Sequence, residues 1–374
     1  MKENDTNVKI LAMYLPQYHV IPENSRFWGE GFTDWVTVRQ SKPLFEGHKQ
    51  PKVPLNENYY DLSLKDSIKG QIDLAKGYGI YGFGIYHYWF SSKKQVLTKP
   101  AELILENKEL DIPFFFAWDN ISWKRTWSNV TGNDWSPLMD KDINKGPEIL
   151  LEYVVGDEEE WEKHFRYLIP YFKDERYIKI DNKPVFVIFN HSKKMEEMID
   201  YWNEIANKYD VEGVTVIYKH NPLHFISKNK YTFTYEPIFS GWGSFRKLLT
   251  SRILNKLGVK KKNKYLVKYD YDKIWNKVLK HAGRTSTSKR LFGAFVNYDD
   301  TPRRGNSGKV LVGGSSQKFN MYLRKLIQIC MVQNKEYIFL TAWNEWGEGA
   351  YIEPDENSKY AYLEAVRNAI GKLN

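Results

Sequence analysis

Residues 337–355 read YIFLTAWNEWGEGAYIEPD. The opening run, Tyr337 to Thr341, is apolar or β-branched and stops abruptly at a group of tryptophans, glycines and carboxylates. A short run without polar alternation fits a strand buried on both faces, as in parallel sheets. The same pattern recurs at VKILAMYLPQYH (8–19), IYGFGIYHYWF (80–90), IPFFFAWDN (112–120), PVFVIFNH (184–191), VTVIYKHN (214–221), YTFTYEP (231–237) and LFGAFVNYDD (291–300). Amphipathic stretches separate many of these runs, at 62–79, 101–110, 158–173, 193–210 and 315–334, and another closes the chain at 359–370. Eight strands alternating with helices predict an α/β chain folded as a (β/α)8 TIM barrel, with a doubly wound sheet as the alternative. Residues 1–374 are read as one barrel, carrying a basic helical insertion at 241–290 after strand six.

In such barrels the active site gathers at the C-terminal ends of the strands. Those ends carry Tyr14, His87 with Trp89, Trp118 with Asp119 and Asn120, Asn190, Glu236, and finally Trp343, Asn344, Glu345 and Glu348. Loops are polar in any case, but polarity alone does not account for the tryptophan and tyrosine there. Glu345 and Glu348 stand three apart on a turn whose glycines, Gly347 and Gly349, permit tight backbone. On a helical turn that spacing points both carboxyls one way. Retaining cleavage of a glycosidic bond needs two carboxyl groups about 5 Å apart. Mutual repulsion would separate their pKa values, leaving one ionised and one protonated. Spacing alone fits a second reading equally: two rim glutamates paired with Arg or Lys. Glu353 lies further along and reads as a supporting residue.

Around the pair, Trp89, Trp118, Trp123 and Trp343 are candidate stacking platforms for sugar rings. His87, Asn120, Tyr235 and Glu236 are candidate ligands of hydroxyls, and core packing competes for each. The segment DDTPRRGNSGK follows strand seven, where barrels often hold phosphate, so Arg303 and Arg304 read as anion ligands or as rim salt bridges. GYGIYG at 77–82 follows a helix and precedes a strand, the reverse of a dinucleotide fingerprint. DYD at 270–272 reads as a helix start. No zinc-type spacing, Walker sequence or nucleophile elbow is present, so neither metal nor cofactor is expected.

The formal charge is +9, with 13 Trp, 26 Tyr and 20 Phe. Between Arg246 and Arg290 there are 15 Lys/Arg against Asp270 and Asp272, which leaves the rest of the chain at about −4. Arg246 to Lys268 mixes Leu and Ile with Lys and Arg at helical spacing, as peripheral membrane helices do. A solvated lid is the alternative. Nucleic acid is a poorer partner, because no recognised binding module accompanies the charge. One cysteine, Cys330, a polar N-terminus and the absence of a long apolar run predict a cytoplasmic protein.

Several segments carry a family resemblance: residues 13–54, YGFGIYHYWF (81–90), residues 167–186, DDTPRR (299–304) and WNEWGEGAYIEPD (343–355). Together they resemble the WbsX-like proteins of bacterial surface-polysaccharide clusters, from about Val8 to Ala369. That family is often labelled glycosyltransferase and is similar in turn to glycoside hydrolase family ninety-nine, the endo-α-mannosidases. Their Asn-Glu-Trp-x-Glu-Gly motif falls on Asn344, Glu345, Trp346, Glu348 and Gly349. The resemblance implies that Glu345 takes the proton of a sugar 2-hydroxyl, giving a 1,2-anhydro intermediate, while Glu348 protonates the leaving oxygen and later activates water or an acceptor. It also implies an oligo- or polysaccharide substrate, and Arg246 to Lys268 is the candidate to dock against anionic lipid or a lipid carrier's diphosphate at the inner membrane face. Two departures stand out. Gly347 replaces a histidine of the mannosidases, and WDNISW (118–123) replaces the usual Trp-Ala-Asn-Glu-Asn-Trp, with Ile121 for the glutamate and Asp119 for the alanine, so either an acid has moved by two positions or a sugar contact is absent. The competing functions are a glycosyltransferase using an activated donor and a catalytically silent glycan-binding barrel.

Overall fold

The computed structural model describes residues 7–124, 149–224, 226–243, 266–285 and 287–371. The eight apolar runs form the strands of a closed parallel barrel. They are β1 (Lys9–Tyr14), β2 (Ile80–Ser91), β3 (Phe114–Trp118), β4 (Lys183–Ile188), β5 (Thr215–Lys219), β6 (Tyr231–Phe233), β7 (Arg290–Phe295) and β8 (Tyr337–Thr341). Each pairs in parallel with its successor, and β8 returns to β1 through Ile10↔Ile338. The protein is a (β/α)8 barrel. Closure leaves none of the eight strands with a free edge, and every residue of β3 and of β8 is buried.

Side chains fill the barrel. The Phe339 ring meets Phe233 at 4.7 Å and Phe115 at 5.7 Å between centroids. Gly84 in β2 makes room for this layer, since a Cβ there would sit 2.4 Å from the Phe115 ring. Helices cover the outside at Lys65–Gly77, Lys99–Glu106, Glu158–Phe172, Lys193–Ile205, Tyr271–Arg284, Ser316–Val332 and Ala361–Ile370. Asp157, Ser192, Asp270 and Ser315 cap four of them, each side chain accepting an N–H of the first turn. The DYD segment is therefore a helix start. Strict alternation fails once: between β5 and β6 no helix appears among the described residues. That connection, HNPLHFISKNK (220–230), is short and rich in turn formers. Most of the basic stretch Arg246 to Lys268 lies outside the described residues. No helix among them is long and apolar enough to cross a membrane.

Candidate active site

A cleft of about 230 Å³ opens at the C-terminal end of the barrel. It is lined by Trp28, Phe32 and Asp34 from the β1–β2 connection, and by Tyr86, Tyr88, Asp119, Phe189 and Tyr235 at the ends of β2, β3, β4 and β6. Arg303, Arg304, Glu345 and Glu348 complete it.

Arg303 is its hub. Its guanidinium donates to Asp34 at 2.9 Å and to Glu348 at 2.9 Å, and it lies 3.6 Å from Glu345. Burial works against the cation, but Asp34, Glu348 and Glu345 together hold it well above the usual arginine range. Gly347 is what lets this cluster assemble: a Cβ there would lie 2.6 Å from both Arg303 Nε and Asp34 Oδ2. The glycine that departs from the mannosidase pattern is thus the one that the Arg303–Asp34 contact requires.

The acidic turn is held from two sides. The Asp299 N–H donates to the Glu348 carbonyl at 2.6 Å, and the Asp299 carboxylate accepts from His48, Gln50 and Thr301. From the loop after β1, Tyr18 donates to the Asn344 carbonyl and accepts from the Trp346 N–H. Buried Glu353 accepts from Tyr60, Gln71 and the Trp346 indole, anchoring the turn from behind.

The two glutamates differ. Glu345 is buried, and burial first, then Glu348, pushes its carboxyl up to about 8, against the pull of Arg303. Glu348 is more exposed and receives the Arg303 N–H directly. Burial thus favours the protonated form of Glu345. Asp119 is raised to about 6, by burial first, with Lys219 opposing. The Tyr86 and Tyr235 hydroxyls meet at 2.7 Å, and burial keeps both phenols protonated.

Of the residues singled out in the sequence, the cleft brings together Asp119, Tyr235, Arg303, Arg304, Glu345 and Glu348. The others stand elsewhere. His87 and Trp89 point outward against the helix Glu158–Phe172, where His87 meets His164 at 2.8 Å and Trp89 stacks on the same ring. Burial lowers the His87 pKa to about 3. Trp118 is fully buried, its indole donating to the Trp89 carbonyl. Trp123 packs on Tyr88 and Phe90, and Trp343 on Phe83. Tyr14 donates to Gln71. Asn344 clasps the backbone of Leu15 in both directions, and Asn120 clasps that of Asn190, whose side chain is exposed. Glu236 is buried outside the barrel, accepting from Ser240. Arg304, in the cleft, pairs with Asp300 at 3.0 Å.

Sequence reasoning missed Asp34, Tyr86, Tyr88, Phe189, Trp28 and Phe32. Strand parity was the available signal, because successive residues of a strand face opposite ways. Tyr86 and Tyr88 face the cleft, so His87 and Trp89 face the helices. Among the described residues no cluster of His, Cys, Asp and Glu is arranged to hold a metal.

Solved structures of like architecture include a glycoside hydrolase-like protein (12% identity, 99% of this chain and 96% of that one, TM-score 0.58). Another is the endo-α-mannosidase of Bacteroides thetaiotaomicron (13% identity, 98% and 96% covered, TM-score 0.50). At such identities the likeness is one of fold. Sequence establishes the family: the WbsX glycosyltransferase model matches residues 10–366, and the chain belongs to that family. The protein WxcX of Xanthomonas campestris is 25% identical in strain B100 and 26% in strain ATCC 33913, over 371 residues in each case. Each match covers 96% of this chain and 49% of WxcX, so the chain spans about half the length of these curated relatives.

Proposed function

We propose that the protein is a carbohydrate-active enzyme of bacterial surface-polysaccharide biosynthesis, acting on glycosidic bonds with retention through Glu345 and Glu348. The observation carrying this reading is that both glutamates converge on one arginine in an aromatic-walled cleft. Breaking a glycosidic bond calls for two carboxyl groups in different protonation states. With Glu345 as the base toward a 2-hydroxyl and Glu348 as the acid, the proton held at Glu345 must pass to Glu348 before the sugar reacts. Arg303 favours the ionised form, and its commitment to three carboxylates makes it a holder of acids rather than a phosphate ligand. Arg304, paired with Asp300, is engaged as well.

The proposed substrate is an oligo- or polysaccharide, presented as a lipid diphosphate at the inner membrane face and docked through Arg246 to Lys268. Absence of co-sedimentation with anionic vesicles at low salt would refute the docking. The family description favours a second reading, transfer to a sugar acceptor rather than to water. Turnover of synthetic α-mannosides and related glycosides with a good leaving group tests the chemistry. Glu345→Gln and Glu348→Gln should each abolish it with the fold intact, and unchanged activity in both sinks the mechanism. Glycan binding without wild-type turnover would point to a silent binding barrel.

A further inference from the structure

Asp119 lines the cleft and Lys219 packs on two of its rings, a second pair of opposite charges that the glutamate chemistry leaves unused. Asp119 follows β3, Phe189 follows β4 and Lys219 ends β5, so the three form an arc around the barrel mouth. The Lys219 ammonium stands 4.7 Å from the centre of the Phe189 ring and 5.9 Å from that of Tyr235, both cleft-lining rings. Aromatic faces support a cation, but less well than an acceptor does. Among the described residues Lys219 has no hydrogen-bond acceptor and no carboxylate near enough for an ion pair. Asp119 senses the ammonium electrostatically without touching it, and its backbone is fixed by the N–H bond to the His87 carbonyl at 3.1 Å. The two charges thus stand on the same side of the barrel mouth without a direct contact between them.

We propose that Asp119 and Lys219 form a specificity-determining subsite for a neutral sugar residue, one of whose hydroxyls donates to the Asp119 carboxylate while it or its neighbour accepts from the Lys219 ammonium. This rests on the carbohydrate reading above and narrows it. An anionic substituent is disfavoured because Asp34, Asp119, Glu345 and Glu348 line the same cleft, while Arg303 and Arg304 are already paired. A hydroxyl, both donor and acceptor, matches a carboxylate and an ammonium at once. Asp119 stands where the resembling family has alanine, so the subsite follows from this chain's own WDNISW segment.

The test is calorimetric titration of the wild type with α-linked mannobiose, glucobiose and galactobiose, their mono-deoxy analogues, and methyl α-glucuronide. At least one neutral disaccharide should bind. Lys219→Met, which keeps the stem over Phe189, and Asp119→Asn should each weaken it about 10- to 100-fold, the range for a hydrogen bond to a charged group. The double variant should be little worse than the weaker single one, because both residues read the same hydroxyls. Lys219→Arg should recover part of the loss. The deoxy analogue lacking that hydroxyl should bind all variants alike, which a merely structural role would not produce. Preference for the glucuronide, wild-type affinity in both variants, or no binding of any neutral disaccharide would overturn the proposal. Because the titration reads binding, it is decided separately from turnover in the Glu345→Gln and Glu348→Gln variants.

Discussion

Replacing Arg303 by methionine keeps most of the stem and removes the charge on which the cleft is built. Its guanidinium lies 2.9 Å from Asp34, 2.9 Å from Glu348 and 3.6 Å from Glu345, and its side chain is only 23% exposed. At an effective dielectric near 20, the 3.6 Å contact has a gross Coulomb energy of ~4.5 kcal/mol. Desolvation of the ions opposes most of that gain, and removing one partner from such a cluster costs about 3–5 kcal/mol. For 374 residues the unfolding entropy is ~0.8 kcal/mol per degree, so a 4 kcal/mol loss lowers the melting midpoint by about 5 °C. The loss must depend on pH. Without the cation the Glu345 carboxyl loses the pull that opposes its burial and titrates above the value near 8 that it already has. A carboxyl raised on folding binds more protons folded than unfolded, so stability falls as pH rises from its ordinary range near 4.5 through the raised value. The variant's deficit should therefore be small at about pH 5 and larger at about pH 9. Thermal unfolding followed by circular dichroism at the two pH values measures it. An equal deficit at both, or none at either, would refute the account of Arg303 as the counter-ion of the acids.

The raised titration of Glu345 predicts a profile for catalysis: if it acts as the base, the rising limb of kcat/KM against pH extends toward about 8. A fall across the same range would make Glu345 the acid instead. Gly347→Ala places a methyl against Arg303 and Asp34, so a stability loss of about 1–3 kcal/mol by denaturant titration is expected, together with slower turnover. His87→Phe alters a buried pair on the helix side of β2 and should change the melting midpoint while kcat/KM stays put; loss of turnover at unchanged stability would return His87 to the substrate.

Much of the architecture was legible along the chain. Short apolar runs ending in polar groups identified all eight strands, because a strand covered on both faces cannot alternate. The acidic turn after β8 was legible too, since two carboxyls among glycines at a strand end are unusual in themselves. Three-dimensional closure decided which strand-end residues share the cleft. In β2 the side chains alternate between barrel mouth and helices, so Tyr86 and Tyr88 reach the cleft while His87 and Trp89, the more conspicuous residues, pack outside. The same parity takes Asp119 in and Trp118 out, and Tyr235 in and Glu236 out. Linear order also hid the partners of the glutamates. Asp34 and Arg303 lie far from each other in the chain, and only the return of β8 to β1 brings the β1 connection and the loop after β7 against one turn. Residue types at strand ends declared the kind of chemistry; which groups meet, and which of them holds the proton, depended on burial and on charges contributed from distant segments.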